Sequence, residues 1–312
     1  MFVCVTPNGD LDLTLRRTGA SMEVEIGTDL IAQAAGGKGH NVARFLVALG
    51  HQATALGFAG GWPGSALAGL LRTAGVSERL TPIADQTRFF ITVTDPAGTR
   101  ECSYHQVGPA VTADEARRLL DAIRASAEDG TIVVLGGSLP SGLAPDFYAR
   151  AIEAVRPARV ALDCGGPPLR LGLEAGPWLV KVNRAELVGV ADGGPDGPLT
   201  DSLARLCSRS TARKWWVTDG ARGAIGWEGG ALVRGRVPAF AVRNTSGAGD
   251  AFMAGLLHAD SLGAGPQEAM RWALALASAV CELGAPASPP PERVAHFRTI
   301  AVIEEDQGWA AR

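Results

Sequence analysis

The feature that most constrains the fold is an alternation. From about residue 36 onward, short apolar runs of strand type alternate with longer amphipathic stretches of helix type. Thr54–Phe58 and Thr131–Leu135 read as strands buried on both faces, and Val160–Asp163, Trp178–Val182 and Lys214–Thr218 are further candidates. Between the first two, Thr112–Ser126 places Ala116, Leu119, Leu120 and Ile123 on one face, and Thr112 with Glu115 has the spacing of a capping box. The periodicity predicts further helices over His40–Leu49, Ser65–Ala74, Pro145–Val155, Ala248–Ala259 and Pro266–Leu283. Repeated strand–helix units imply an α/β fold: a doubly wound, mainly parallel sheet with helices on both faces.

Two segments break the rhythm. Leu11–Ala34 is strand-like with no intervening helix, and Phe89–Val107 has two extended runs around the turn Asp95-Pro96-Ala97-Gly98, which reads as a hairpin. They predict a small antiparallel β lid, formed by about 11–34 and 87–107, within a single domain spanning 1–312. From Pro289-Pro290-Pro291 onward the chain reads as a surface-running tail.

The 312 residues are 46% hydrophobic and 20% charged, enough apolar material for a sizeable core. The net charge is −3 with no basic run, which disfavours nucleic acid and anionic membranes as partners. No stretch approaches the ~20 apolar residues that cross a bilayer, and the start has no basic n-region of a signal peptide. The five cysteines (Cys4, Cys102, Cys164, Cys207, Cys281) are odd in number and scattered, which points to reduced thiols and a cytoplasmic location. Arginine outnumbers lysine 26 to 3, and two of the three lysines, Lys38 and Lys181, fall within the motifs below.

The first motif is Asn244-Thr245-Ser246-Gly247-Ala248-Gly249-Asp250, followed by a small-residue, helix-like run. A glycine turn feeding a helix N-terminus offers free N–H groups and a favourable dipole to a phosphate. An Asp there would repel that phosphate unless it had a task, such as taking the proton of an attacking hydroxyl. From these residues alone Asp250 reads equally well as such a base or as an ordinary acid of a first helical turn. The second motif is Ala35-Gly36-Gly37-Lys38-Gly39-His40-Asn41, where bare backbone suits close approach to a hydroxyl-rich or phosphorylated ligand. It is not a Walker A loop, and neither motif completes G-x-G-x-x-G, since Val42 and Phe252 occupy the last position.

Together these segments resemble the two signatures of the ribokinase/PfkB carbohydrate kinase superfamily. The resemblance continues in order along the chain. Thr6-Pro7-Asn8-Gly9-Asp10-Leu11-Asp12 is similar to the family's T-x-N-P-x-x-D, Gly136-Gly137-Ser138-Leu139-Pro140-Ser141-Gly142 to G-S-L-P-x-G, and Leu162-Asp163-Cys164-Gly165-Gly166 to L-D-x-S-G. Lys181-Val182-Asn183-Arg184-Ala185-Glu186-Leu187 resembles K-P-N-x-x-E-L, and Thr218–Ala224 resembles the nucleotide-proximal x-L-G-x-x-G-A.

The resemblance implies a ribokinase-like fold and ATP-dependent phosphoryl transfer. Asp250 would be the base, with Gly247, Ala248 and Gly249 forming an anion hole. Thr218, Gly220 and Gly223 would lie along the ATP with Asn183, and Asn183 and Glu186 would organise Mg²⁺ through water. Asp12, Gly36, Gly37, Lys38, Asn41 and Ser138 would hold the sugar. The G-S-L-P, L-D-x-S-G and opening elements point to the hexose-phosphate kinase branch, of 1-phosphofructokinase and tagatose-6-phosphate kinase type. There Arg88 of Thr87-Arg88 would bind the acceptor's existing phosphate, with Lys38 as a second cation at the end remote from Asp250. The alternative is a kinase for an unphosphorylated sugar or a nucleoside. Glu23 and Glu25, on the acidic stretch before the glycine loop, would face outward if that phosphate is bound. His40 and His105 are candidate substrate neighbours, Trp215-Trp216 reads as core, and a homodimer through the lid is expected.

Overall fold

The computed structural model describes residues 1–18, 27–97, 101–191, 197–283 and 287–306. In chain order the first half comprises β1 (Phe2–Thr6), β2 (Asp10–Arg17), β3 (Thr28–Gly36), α1 (Lys38–Ala48), β4 (Ala53–Ala59), α2 (Gly61–Thr73), β5 (Ser77–Pro82), β6 (Arg88–Thr94), β7 (Glu101–His105), α3 (Ala113–Ser126) and β8 (Ile132–Gly136). There follow α4 (Phe147–Ala154), β9 (Arg159–Asp163), α5 (Gly166–Glu174), β10 (Leu179–Asn183), α6 (Arg184–Val190), α7 (Leu199–Cys207) and β11 (Lys214–Thr218). The chain ends with β12 (Ala224–Glu228), β13 (Ala231–Arg236), α8 (Ala248–Ser261), α9 (Pro266–Glu282), α10 (Pro291–Ile300) and β14 (Val302–Asp306).

Ten strands form one sheet in the order β14-β13-β12-β11-β10-β9-β8-β1-β4-β5. From β5 to β11 every neighbour is parallel, and β12 to β14 extend the edge in antiparallel fashion. Central strands such as Phe-Val-Cys-Val-Thr in β1 and Ile-Val-Val-Leu-Gly in β8 are buried at every residue, because helices cover both faces. One core lies under α1, α2, α8, α9 and α10, and the other under α3 to α7. Trp216 belongs to the first and Trp215 to the second. Consecutive residues of a strand face opposite ways, so the tryptophan pair fills both cores. The capping box foreseen on α3 is formed, with Thr112 accepting from Glu115 N and Glu115 from Thr112 N.

The C-terminal stretch is not a surface tail. Pro291 sits at the start of α10, where its missing N–H costs nothing, and Val294 and Phe297 are buried against the first core. β14 then pairs with β13 and closes the sheet edge. A triple proline reads as a breaker, but here it opens a helix.

The other strands form a separate four-stranded sheet in the order β3-β2-β6-β7. β2–β3 and β6–β7 are antiparallel hairpins, and β2 lies parallel to β6 where they meet. Trp62 of α2 is 63% exposed and packs on Phe89 of β6 with ring centroids 5.3 Å apart. Glu23, Glu25 and Gly98 lie outside the described residues.

Candidate active site

The chain leaves β1 toward β4 and β5 on one side and adds β8 to β11 on the other, so the sheet reverses its winding between β1 and β8. In open α/β sheets the crevice at such a point, beyond the C-terminal strand ends, is where ligands bind. Gly136, Asp163, Asn183 and Thr218 all sit at that edge, Gly136 in register with Asp163 and Asn183 with Thr218.

Asp250 stands in the first turn of α8, directly after Gly247, whose φ of 77° is the left-handed conformation that glycine adopts without strain. Gly249 and Asp250 contribute first-turn N–H groups that have no intrahelical acceptor, whereas Ala248 N donates to Thr245 O at 3.2 Å. Asn41, in the first turn of α1, donates from Nδ2 to Asp250 Oδ2 at 2.8 Å. Burial and the neighbouring Asp163 charge push the Asp250 carboxyl up to about 6, against the pull of Lys181, Asn41 and Lys38. A carboxylate tuned toward neutrality suits a general base.

Beneath it lies a charge cluster. Asp163 ends β9 with its side chain 1% exposed, and it accepts from Lys181 Nζ at 2.8 Å and Lys38 Nζ at 2.6 Å. Burial alone would raise its pKa, but the two ammonium groups overcome it and hold the carboxyl below the usual range. Lys38 also donates to Glu186 Oε1 at 3.1 Å. Glu186 Oε2 and Asn183 Oδ1 complete the capping box of α6, each accepting from the other's backbone N–H. A Cβ on Gly249 would lie 2.8 Å from Lys181 Nζ, so glycine is what lets the turn rest on that ammonium. The loop after β11, expected from the sequence to lie along the nucleotide, has Gly220 at φ 55° and Gly223 at φ 95°.

A second group gathers where β1 passes into β2. Arg88 Nη2 donates to Asp10 Oδ2 at 3.0 Å and to Asn8 O at 3.1 Å, and Asn8 Nδ2 donates to Ser138 Oγ at 2.9 Å. Asp12 is pushed up to about 7 by burial and by Asp10, with Arg44 opposing. Gly36 packs against Asp10 so closely that a side chain there would collide with its carboxylate, and Gly37 caps α1 at φ 106°. Asn8 Oδ1, Asp12 Oδ1 and Arg88 Nε are buried without a partner among the described residues. Buried polar atoms are normally paired, and an acceptor, an acceptor and a donor left in one corner suit a polyhydroxylated ligand.

The expected placement of Lys38 needs correction. It does not join Arg88 at a remote phosphate; its ammonium is drawn to Asp163 and Glu186 and feels Asp250, which puts it at the reacting end. His40 is no substrate neighbour either. It is fully buried, its Nδ1 is 2.9 Å from Gly36 O, and burial lowers it to about 4, so the ring is a neutral packing element. Sequence reasoning assigned no role to Asp163, Lys181, Asn8, Asp10 or Arg44. The available signal was two motif lysines on a lysine-poor chain, which call for a shared buried anion.

A buried carboxyl raised toward neutrality in a glycine turn at a helix N-terminus, above two ammonium groups on a doubly wound sheet, is an arrangement suited to transferring a phosphoryl group to a hydroxyl. The chain belongs to the pfkB family of carbohydrate kinases, which its residues 20–293 match, and it is an ATP-dependent carbohydrate kinase with a ribokinase-like fold. It is 36% identical over 280 residues to a 1-phosphofructokinase of Rhodobacter capsulatus, with 86% of each chain covered. The crystal structure of Escherichia coli phosphofructokinase-2 with potassium superposes with a TM-score of 0.89 at 25% identity, covering 96% of this chain and 98% of that one. A putative phosphofructokinase from Staphylococcus aureus superposes at 0.83 with 24% identity, covering 99% and 100%.

Proposed function

We propose that the enzyme transfers the γ-phosphoryl group of ATP to a hydroxyl of a ketohexose phosphate, as a 1-phosphofructokinase or tagatose-6-phosphate kinase does. The acceptor oxygen bonds to phosphorus as its proton passes to Asp250, the bond from phosphorus to the bridging oxygen breaks, and ADP leaves. Charge growing on the transferring group is met by the N–H groups of Gly247, Gly249 and Asp250, and by Lys38 and Lys181 beneath the turn. Ala248 contributes less, since its N–H is shared with Thr245 O. Thr218, Gly220 and Gly223 line the nucleotide, and Asp12, Asn41, Gly36, Gly37 and Ser138 receive the sugar.

Among the described residues no three carboxylates, imidazoles or thiols converge on a metal cage, and the Asn183–Glu186 pair already caps α6. Such a donor set fits Mg²⁺ carried on the nucleotide phosphates and contacted through water. When bound, the ion would neutralise phosphate charge.

The observation that carries the acceptor assignment is Arg88. Its guanidinium is fixed at the base of the four-stranded sheet with a buried, unbonded Nε, and the similarity to a 1-phosphofructokinase supports a phosphorylated acceptor. The alternative, a kinase for an unphosphorylated sugar or a nucleoside, draws on the same residue, because Asp10 already balances the Arg88 charge. Arg88→Ala separates the two. We expect kcat/KM on fructose 1-phosphate to fall by at least about 30-fold, the loss of a charge-assisted contact, with fructose little affected. Equal losses on both would move the enzyme to the alternative. The four-stranded sheet would act as a lid in a homodimer, and five free cysteines are consistent with work in a reducing cytoplasm.

A further inference from the structure

A cavity of about 450 Å³ opens on the α7 face of the sheet edge, outside the site described above. Its charged lining consists of Arg184, Arg222, Arg234 and Arg236, with Asp219 and Glu304 as the acids. Asp219 is spent on two of the arginines. Arg184 forks onto it with both contacts at 2.7 Å, and Arg222 joins at 2.7 and 2.9 Å. Arg234 and Arg236 lie two residues apart on β13 and therefore point to the same face. Both are exposed, and among the described residues neither guanidinium has an ion pair or hydrogen bond. Glu304 stands opposite Arg234 in the ladder but makes no ion pair with it. The first residues of α7, Leu199 and Thr200, line the same cavity, and Pro198 gives that helix end no side-chain cap.

Four guanidinium groups against two carboxylates leave the cavity positive on a chain whose net charge is −3. A concave surface of one sign focuses its field and concentrates counter-ions. The size is that of a small-ligand pocket, too confined for a macromolecular surface. Planar guanidiniums match the oxygens of a carboxylate or a phosphate in bidentate fashion, and a cavity this positive favours the more highly charged phosphate.

We propose that this cavity binds a phosphorylated small molecule of charge −2 or more and tunes the grip on ATP. Asp219 and Arg222 belong both to the cavity and to the loop that carries Gly220 and Gly223. An anion drawing Arg184 and Arg222 off Asp219 would loosen the fork that braces that loop, so the ligand and ATP would be coupled through one element.

Pyrophosphate is the minimal probe. It is titrated calorimetrically into the full chain with its nucleotide site filled by ADP, at fixed free Mg²⁺. No acceptor is present, so the result does not depend on which sugar the enzyme uses. Saturable binding that weakens at least about tenfold in the Arg234→Ser/Arg236→Ser variant is expected. In turnover assays pyrophosphate should shift the KM for ATP by about twofold or more in the wild type and not in the variant. Amide exchange on the wild type gives a second measure, with slowing expected at Leu199 and Thr200, which line the cavity, and faster exchange at residues 220–223, where the brace is loosened. Absence of saturable binding, binding undiminished in a folded variant, or protection confined to the nucleotide site would overturn the proposal. Binding lost in the variant with the KM for ATP unmoved would overturn the coupling.

Discussion

Asp250 has to be ionised to accept a proton, yet it is buried beside another carboxylate. The unfolded carboxyl ionises near 3.8 and the folded one near 6, so the folded chain binds more protons between those values. Stability from this group is therefore present at low pH and lost as pH rises through about 6. Asp250→Asn should lower kcat at least about 100-fold while ATP binding persists in calorimetry. It should also raise the unfolding free energy, more at pH 8 than at pH 5, by an amount on the order of 3 kcal/mol at the higher pH. A destabilised, half-active Asn variant would contradict both. Asp12, at about 7, must also ionise if it is to hold a sugar hydroxyl as an acceptor. The acid limb of kcat/KM is then expected to fall with a slope approaching about two, returning to about one in Asp12→Asn. Lys181 answers a different question. Its charge is 3% exposed and shared with Asp163, so Lys181→Met leaves that anion partly uncompensated and should cost about 3–5 kcal/mol in denaturant unfolding. Asp163 itself was invisible as a functional centre in the sequence, because a carboxylate within a strand-end motif gives no sign of which lysines will converge on it from α1 and β10.

At the scale of elements, the strands with continuous apolar runs and the helices with caps or strong periodicity were legible: β4, β8 and β9, and α1, α3, α8 and α9 lie where their patterns place them. The short helices α5, α6 and α7 were not, since seven to nine residues carry too little periodicity and take their stability from tertiary packing. α10 and β14 were missed because their Pro-rich lead-in masked a buried Phe297. The four-stranded sheet was legible from its extended runs, and its open edges carry a prediction. β3 and β7 are edge strands, and Leu30, Ile31 and Tyr104 on them are exposed. Exposed edges with apolar side chains invite pairing with a second copy. Sedimentation at micromolar concentration should give a dimer in the wild type and a monomer in Leu30→Glu/Tyr104→Glu. A wild-type monomer, or a dimer indifferent to those substitutions, would exclude the lid as the interface.

The whole molecule is a two-sided sheet whose C-terminal edge unites residues far apart in the chain. The opening Asn8–Asp12 segment meets Arg88 and Ser138, while Lys38 and Asn41 meet Asp163, Lys181 and Asp250. Motif order gave the parts of this site in sequence, but only the winding of the strands brings them into two neighbouring groups, which the proposed function reads as one for transfer and one for the acceptor. In the proposed reading Arg88, and not Lys38, lies on the acceptor side. The most direct test is a comparison of kcat/KM for the unmodified enzyme, with ATP and Mg²⁺, on fructose 1-phosphate, fructose 6-phosphate, tagatose 6-phosphate and free fructose, read by ADP release. We predict that one phosphorylated ketohexose exceeds free fructose by at least about 100-fold, the worth of a charge-assisted contact realised in the transition state. Free fructose turned over as well as or better than every phosphorylated ketohexose would contradict the account.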